Sequence, residues 1–218
     1  MPVLDIDISK AQRLYDVNVW GPIRVIQAFS NLLIKSRGHI VNMSTVNTLV
    51  PLPWVSTYAS SKTALTYYSE SLRLELASLG VSVVTIVAHS VESNLGNNEP
   101  KFILPRGSRY APVEHIIRGW LGGSYLTKDC TAAEFAELIV DSVISYGEYG
   151  VVYKGPNAGS MNIISKWGPQ TLINKFFSRH EGLREMAEKA ERVGPSRREL
   201  EARLGSYRDI RDMALHGR

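Results

Sequence analysis

Apolar positions along the first ninety residues alternate between helical spacing and short continuous runs. Residues 8–36 place apolar side chains three and four positions apart and end before a glycine, which predicts a helix. The short, partly β-branched run at 39–44 follows that glycine and is typical of a buried strand. Both patterns return, as a predicted helix over 56–79 and a predicted buried strand over 81–87. The first half of the chain is therefore predicted to run helix, strand, helix, strand.

The second half of the chain is less regular. Residues 88–129 form a long stretch rich in glycine and proline, with one helix predicted around 112–120. Thr131 and Glu134 have the spacing of a capping box, which predicts a helix that continues to about Tyr146. Residues 151–153 are predicted as a third short strand, before a charged and mainly helical C-terminus. This alternation predicts an α/β fold, with right-handed crossovers and a parallel sheet that carries helices on its faces.

Composition agrees with one globular domain, because 44% of the 218 residues are apolar and 21% are charged. Cys130 is the only cysteine, which excludes an internal disulfide framework and a cysteine-based zinc site, and no metal site is predicted. No apolar run reaches the roughly 18 residues of a membrane span, and residues 1–7 lack the features of a signal peptide. We therefore expect a cytoplasmic protein.

A formal net charge of +4 raises the question of a nucleic-acid partner. The basic residues of 170–218 alternate with acidic ones, as in a solvated helical surface with i,i+4 pairs. This pattern does not concentrate positive charge into a patch, so we expect no nucleic-acid binding.

Tyr58 and Lys62 are the first candidates for chemistry, because residues four apart on a helix project from the same face. An ammonium near a phenol favours the phenolate, which lowers the tyrosine pKa and makes the hydroxyl a usable proton donor. Such a pair also arises by chance, on an ordinary helix surface. Its context is more specific, since a predicted strand ends in Ser44 and Thr45, and Tyr58 follows Thr45 by thirteen residues. Hydroxyls at the carboxyl end of a parallel strand lie where ligands bind in open α/β sheets.

With these motifs the sequence resembles the classical short-chain dehydrogenase/reductase family. Asp16-Val17-Asn18-Val19-Trp20-Gly21 is similar to the helix segment that carries the family's catalytic asparagine. The segment at 38–45 is similar to the strand that delivers the catalytic serine, and the segment at 58–65 is similar to the tyrosine helix. The resemblance is specific over residues 1–95 and looser to about 160. In detail it is nearest to a fungal branch, the NADPH-dependent 1-acyldihydroxyacetone-phosphate reductases.

The resemblance implies the C-terminal part of a doubly wound, Rossmann-type parallel sheet, and NAD(P)H-dependent reduction of a carbonyl or the reverse oxidation of an alcohol. Tyr58 would donate the proton, Lys62 would lower its pKa and bind the nicotinamide ribose, and Asn18 would hold a water of the proton relay. These three residues would therefore serve both catalysis and cofactor binding. Val91 and Ser93 would line the nicotinamide carboxamide. NADP is the expected cofactor, and NAD is not excluded.

Three departures from the family pattern matter. Thr45 stands where the family has its catalytic serine, with Ser44 just before it, so both hydroxyls are candidates for polarising the carbonyl. His89 stands where relatives have a glycine, so it either crowds the nicotinamide or is an exposed loop histidine. No Gly-x-x-x-Gly-x-Gly turn follows a strand, so the pyrophosphate site and the residue that selects NAD or NADP are absent from these 218 residues. Met1 aligns with the interior of the family pattern and is expected to be an internal methionine.

The same alignment defines the expected organisation. Residues 1–160 form the catalytic part, 94–130 form a substrate lid, and 161–218 form a charged helical extension. The three strands correspond to the fifth, sixth and seventh of the family, which makes 39–44 an edge strand. Helices 8–36 and 56–79 are those through which the family pairs, so a homo-oligomer is expected.

Two functions remain open from the sequence. The first is an oxidoreductase acting on an apolar, lipid-like or secondary-metabolite substrate, since the lid is rich in apolar residues that either face the substrate or pack the lid onto the sheet. Peripheral association with the endoplasmic reticulum or lipid droplets is compatible with this reading. The second is a noncatalytic remnant that acts as a dimerising or interaction protein.

Overall fold

The computed structural model describes residues 1–92, 102–122, 129–145, 147–177 and 182–193. Its strands are β1 (His39–Thr45), β2 (Ser82–Ala88) and β3 (Gly150–Lys154). Its α-helices are α1 (Ile8–Tyr15), α2 (Gly21–Ser36), α3 (Ser56–Ala77), α4 (Glu114–Leu121), α5 (Ala132–Val140), α6 (Ala158–Trp167), α7 (Gln170–Phe177) and α8 (Leu183–Val193). Short 3₁₀ turns lie at Val3–Asp5, Val46–Thr48 and Ala111–Val113. The predicted order of helices and strands is confirmed over these residues, and positions 194–218 of the predicted C-terminal extension lie outside them.

The described sheet is parallel and has the order β1-β2-β3. In its register Ile40 lies beside Val83, and Val41 lies beside Val84. Helices cover both faces of this sheet, which confirms the α/β class and the Rossmann-like arrangement predicted from the alternation. Strand β1 lies at one edge of the described sheet, as predicted.

Burial differs sharply between the two neighbouring strands. The five middle residues of β2 are all buried, because helices pack on both of its faces. Strand β1 instead alternates, with Ile40, Asn42 and Ser44 buried toward one face. Val41 and Met43 point to the other face and are 39% and 38% exposed. One face of β1 therefore lacks a cover in the described part of the chain.

Apolar clusters hold the helices on the sheet. On one face, Ile40 and Val83 pack against side chains of α2 and α3. On the other face, Val84 and Ile86 pack against Phe135 of α5. The capping box predicted for α5 is present, since Thr131 and Glu134 hydrogen-bond each other's backbone N–H groups. This helix ends at Val140 and continues as a π turn, Asp141–Ser145, close to the predicted end.

The helix predicted over 8–36 contains one irregular turn. Asp16–Trp20 forms a π turn between α1 and α2, with Asn18 at its centre. Pro22 explains this turn, because it has no N–H to donate to the carbonyl of Asn18, four residues earlier. The Gly21 N–H bonds instead to the Asp16 carbonyl, five residues earlier. Single π turns of this kind are frequent at functional sites.

The apolar side chains of the described part of the predicted lid, residues 102–122, pack against one another and against the rest of the protein. The buried lid residues Val113 and Ile117 pack together with the buried Trp54 of the loop before α3. Around these three residues lie further apolar side chains of the lid: Phe102, Tyr110, Ile116, Trp120 and Leu121. These contacts match the alternative in which the lid's apolar residues pack onto the body of the protein. None of the described helices combines the length and apolar character needed to cross a membrane.

Candidate active site

Tyr58 and Lys62 lie one turn apart near the start of α3, and this helix packs across the carboxyl end of β1. Polar side chains of α3 and β1 contact each other directly at this interface. Ser44 hydrogen-bonds Thr66 over 2.8 Å, and Asn42 donates to Ser69 over 2.8 Å. Hydroxyl and amide groups thus fix the helix in a defined position on the strand.

The Lys62 ammonium crosses from α3 to β1. Its Nζ atom donates a hydrogen bond to the main-chain carbonyl of Met43 over 3.0 Å. Met43 stands two residues before Thr45, so this bond brings the lysine to the end of the strand that carries the candidate hydroxyls. No side-chain pattern predicts this contact, because its acceptor is a backbone atom.

Ser44 and Thr45 have different surroundings. Ser44 is buried and donates to Thr66, because the Thr66 hydroxyl itself donates to the Lys62 carbonyl over 2.9 Å. Thr45 is half-buried, and its Oγ1 accepts a weak bond from the Asn47 N–H over 3.4 Å. The Ser44 hydroxyl is therefore engaged within the α3–β1 interface, whereas Thr45 begins the loop.

Asn18 reaches the same turn of α3 from the π turn. Its side-chain amide donates to the Ser61 hydroxyl over 3.1 Å, and Ser61 in turn donates to the Tyr58 carbonyl over 2.7 Å. Ser61 is fully buried and links the candidate asparagine to the helical turn of the candidate tyrosine. Ser61 was not predicted as part of the site, although it stands beside Lys62 within the Tyr-x-x-x-Lys segment.

The direction of the Tyr58 pKa shift differs from the expectation based on the sequence. Burial raises the pKa of the Tyr58 hydroxyl, and burial lowers the pKa of the Lys62 ammonium. Both shifts disfavour the charged form, as expected for groups withdrawn from water. The predicted lowering of the Tyr58 pKa by Lys62 is thus not present in this arrangement, where the ammonium is bonded to Met43.

The remaining candidates lie beyond β2. Val91 forms an isolated parallel bridge with Cys130. Ser93 lies outside the described residues. His89 is half-buried and its ring bonds the Pro156 carbonyl over 2.6 Å, so it is not the exposed loop histidine of one alternative. Clusters of three or more metal-ligating side chains do not occur among the residues that the structure describes.

The chain is similar to known proteins. The family model for short chain dehydrogenases matches residues 1–102. The Neurospora crassa short-chain dehydrogenase srdE is 32% identical over 180 residues, which make up 82% of this chain and 61% of that protein. The chain belongs to the short-chain dehydrogenase/reductase family.

Other members of the family support this assignment. The NADPH-dependent 1-acyldihydroxyacetone phosphate reductase of Schizosaccharomyces pombe is 31% identical over 157 residues, which are 70% of this chain and 52% of that protein. The crystal structure of a short-chain dehydrogenase from Streptomyces avermitilis superposes with a TM-score of 0.62 at 19% identity, and it shares the fold over 88% of this chain and 65% of that one. The chain spans about three fifths of the length of srdE and of the short-chain dehydrogenase virD of Hypocrea virens.

Proposed function

We propose that the full-length protein is an NADPH-dependent oxidoreductase that reduces a carbonyl group, or oxidises the corresponding alcohol, through Tyr58 and Lys62. Full-length here means the longest polypeptide that the gene encodes and that includes residues 1–218. The observation that carries the proposal is the position of Lys62, which bonds the Met43 carbonyl near the carboxyl end of β1 and lies one helical turn from Tyr58 on α3. Ligands of open α/β sheets bind at this end of the strands.

The donors at this place fit the nicotinamide end of a dinucleotide. A lysine ammonium has three N–H donors, and the Met43 carbonyl takes one of them, which leaves donors for ribose hydroxyls. Asn18 is held one turn from Tyr58 through Ser61. The glycine-rich turn that binds a pyrophosphate does not occur in the 218 residues, so our proposal for this chain concerns the nicotinamide end alone.

A bound nicotinamide cofactor would supply the hydride, and the protein would supply position and a proton. The Tyr58 hydroxyl would donate its proton to the carbonyl oxygen, and the Thr45 hydroxyl would donate a hydrogen bond to the same oxygen. Proton transfer leaves a phenolate at Tyr58, which burial disfavours. The Lys62 ammonium, one helical turn away, would offset that cost by its positive charge.

The noncatalytic alternative is favoured by one observation. In the described arrangement, burial disfavours the charged forms of both Tyr58 and Lys62, which is the opposite of an activated pair. A protein that kept the family fold only for association would need no activated tyrosine. Turnover by the full-length protein distinguishes the two functions.

The identity of the substrate is proposed from the relatives and from the lid. The Schizosaccharomyces pombe relative acts, by its name, on an acylated dihydroxyacetone phosphate and depends on NADPH. We therefore propose a carbonyl substrate with an apolar chain. The test is a reductase assay of the full-length protein with NADPH or NADH, on a long-chain acyl ketone and on a short ketone of the same head group. Faster turnover with NADPH and the long-chain ketone supports the proposal, and turnover of the short ketone alone contradicts the substrate class.

Self-association is proposed through α2 and α3. The outer face of α2 carries Val25, Phe29 and Leu32 at helical spacing, and each of these side chains is more than half exposed. Leu74 of α3 is 68% exposed. Replacing Phe29 by aspartate should shift the full-length protein to a smaller species in sedimentation analysis, and an unchanged mass would exclude this interface.

Peripheral membrane association is proposed through α6. Ile163, Ile164 and Trp167 form an outward stripe on this helix, and Trp167 is 83% exposed. Residues 155–177 contain two lysines and no acidic residue, which suits an anionic lipid surface. Vesicles with anionic lipids should bind the full-length protein, and Trp167→Ser should weaken that binding. Equal binding of both variants would contradict this surface.

A further inference from the structure

His89 comes directly after β2 and is bonded once to the last residue of β3 and once to the turn that follows it. Its backbone N–H donates to the Lys154 carbonyl over 3.2 Å. Its ring Nδ1 lies 2.6 Å from the Pro156 carbonyl oxygen. A carbonyl oxygen only accepts, so Nδ1 carries a proton and donates in this contact. The imidazole therefore joins the end of β2 to the turn after β3.

The backbone at this junction is crowded. Gly155 has a φ of +94°, and a Cβ atom there would clash with the carbonyl oxygen of His89. Ser90, the next residue, has a φ of 53°, which is uncommon for a residue other than glycine. Its hydroxyl lies 3.1 Å from the same Nδ1 atom. The His89 ring thus stabilises a backbone turn that has an intrinsic conformational cost.

Val91 continues the chain from this turn. It forms the parallel bridge with Cys130, and the next N–H, that of Glu92, donates to the Cys130 carbonyl over 2.8 Å. The segment from β2 to Val91 is therefore held at both ends, by the contacts of His89 at its start and by the contacts with Cys130 at its end.

We propose that His89 is a positioning residue that holds the backbone of Ser90–Glu92 in place for the nicotinamide end of the cofactor. This inference rests on the proposed function, because it requires that the segment around Val91 contacts the nicotinamide of a bound cofactor. The imidazole acts through its Nδ1–H bond to Pro156, which sets the turn. It takes no part in proton transfer to the substrate.

The test compares two variants of the full-length protein. His89→Leu removes the Nδ1 donor, whereas His89→Asn keeps an N–H donor of similar reach. For His89→Leu we expect the KM for NADPH to rise about tenfold, the effect of losing one hydrogen bond, with kcat changed less than about threefold. His89→Asn should stay within about threefold of the wild type in both parameters. An unchanged KM for His89→Leu, or a large loss of kcat at saturating NADPH, would overturn the proposal.

A second measurement does not depend on turnover. Hydrogen exchange of the Val91 and Glu92 amides should be faster in His89→Leu than in the wild type and His89→Asn, while the amides of β2 stay unchanged. Equal protection of Val91 and Glu92 in all three proteins would overturn the positioning role. Wild-type protein that binds NADPH without reducing any carbonyl would contradict the proposed function alone, because NADPH affinity and hydrogen exchange would still decide the role of His89.

Discussion

The ammonium of Lys62 on α3 and the carbonyl of Met43 on β1 lie 3.0 Å apart and form a hydrogen bond. The bond connects the helix of the candidate tyrosine to a strand that has one exposed face and lies at the edge of the described sheet. The same lysine lies one helical turn from Tyr58, whose pKa is raised by burial in this arrangement.

The first prediction concerns the ionisation of Tyr58 in the 218-residue chain. Burial disfavours the phenolate of Tyr58 and raises its pKa. Absorbance titrations of the wild type and of Tyr58→Phe should therefore differ by one tyrosine, whose midpoint lies above the ordinary value of about 10. The folded chain then retains this proton above pH 10 while the unfolded chain releases it. The stability associated with Tyr58 should therefore be present below pH 10 and be lost as pH rises above it. A midpoint below 10 would mean that Lys62 already activates the phenol.

The second prediction separates Thr45 from Ser44. Thr45→Val should reduce kcat of the full-length protein about a hundredfold, because it removes the hydroxyl expected to polarise the carbonyl. Ser44→Ala should leave kcat nearly unchanged and lower the free energy of unfolding by about 1 kcal/mol, because its hydroxyl bonds Thr66 within a buried interface. The reverse ranking in kcat would transfer the catalytic role to Ser44.

The third prediction uses two glycines with similar backbone angles. Gly155 and Gly107 have φ values of +94° and +79°, but only at Gly155 would a Cβ atom clash with the backbone, at His89. Gly107→Ala should lower the free energy of unfolding by about 1 kcal/mol, from backbone strain alone. Gly155→Ala should lower it by at least about 2 kcal/mol more than that. Equal urea denaturation midpoints would show that the His89 turn is looser than described.

The hydrophobic pattern was sufficient to predict the strands and the helices, because burial periodicity follows directly from sequence. The spacing of Tyr58 and Lys62 placed this pair on one helix face, whereas the edge position of β1 and the role of Asn18 were expected from the family resemblance. The pattern could not predict the bond from Lys62 to Met43 or the bond from His89 to Pro156, since both acceptors are backbone carbonyls that any residue presents. The direction of the Tyr58 pKa shift was likewise out of reach, because burial and the position of the ammonium depend on tertiary packing.

The fourth prediction concerns the 218-residue chain purified by itself. We expect it to self-associate, because Val41 and Met43 are partly exposed on one face of the edge strand β1. We also expect no saturable NADPH or NADH binding at micromolar concentration, because its sequence has no glycine-rich turn for the pyrophosphate. A monodisperse monomer that binds either nucleotide with micromolar affinity would require another account of how the cofactor is held.

The most direct test of the central claim is the kcat of Tyr58→Phe in the full-length protein, measured beside its affinity for NADPH. The substitution removes only the hydroxyl that is expected to deliver the proton. Turnover should fall below about a tenth of the wild-type value, while NADPH affinity stays within about threefold. Turnover above a tenth of the wild-type value would contradict the role of Tyr58 as the proton donor.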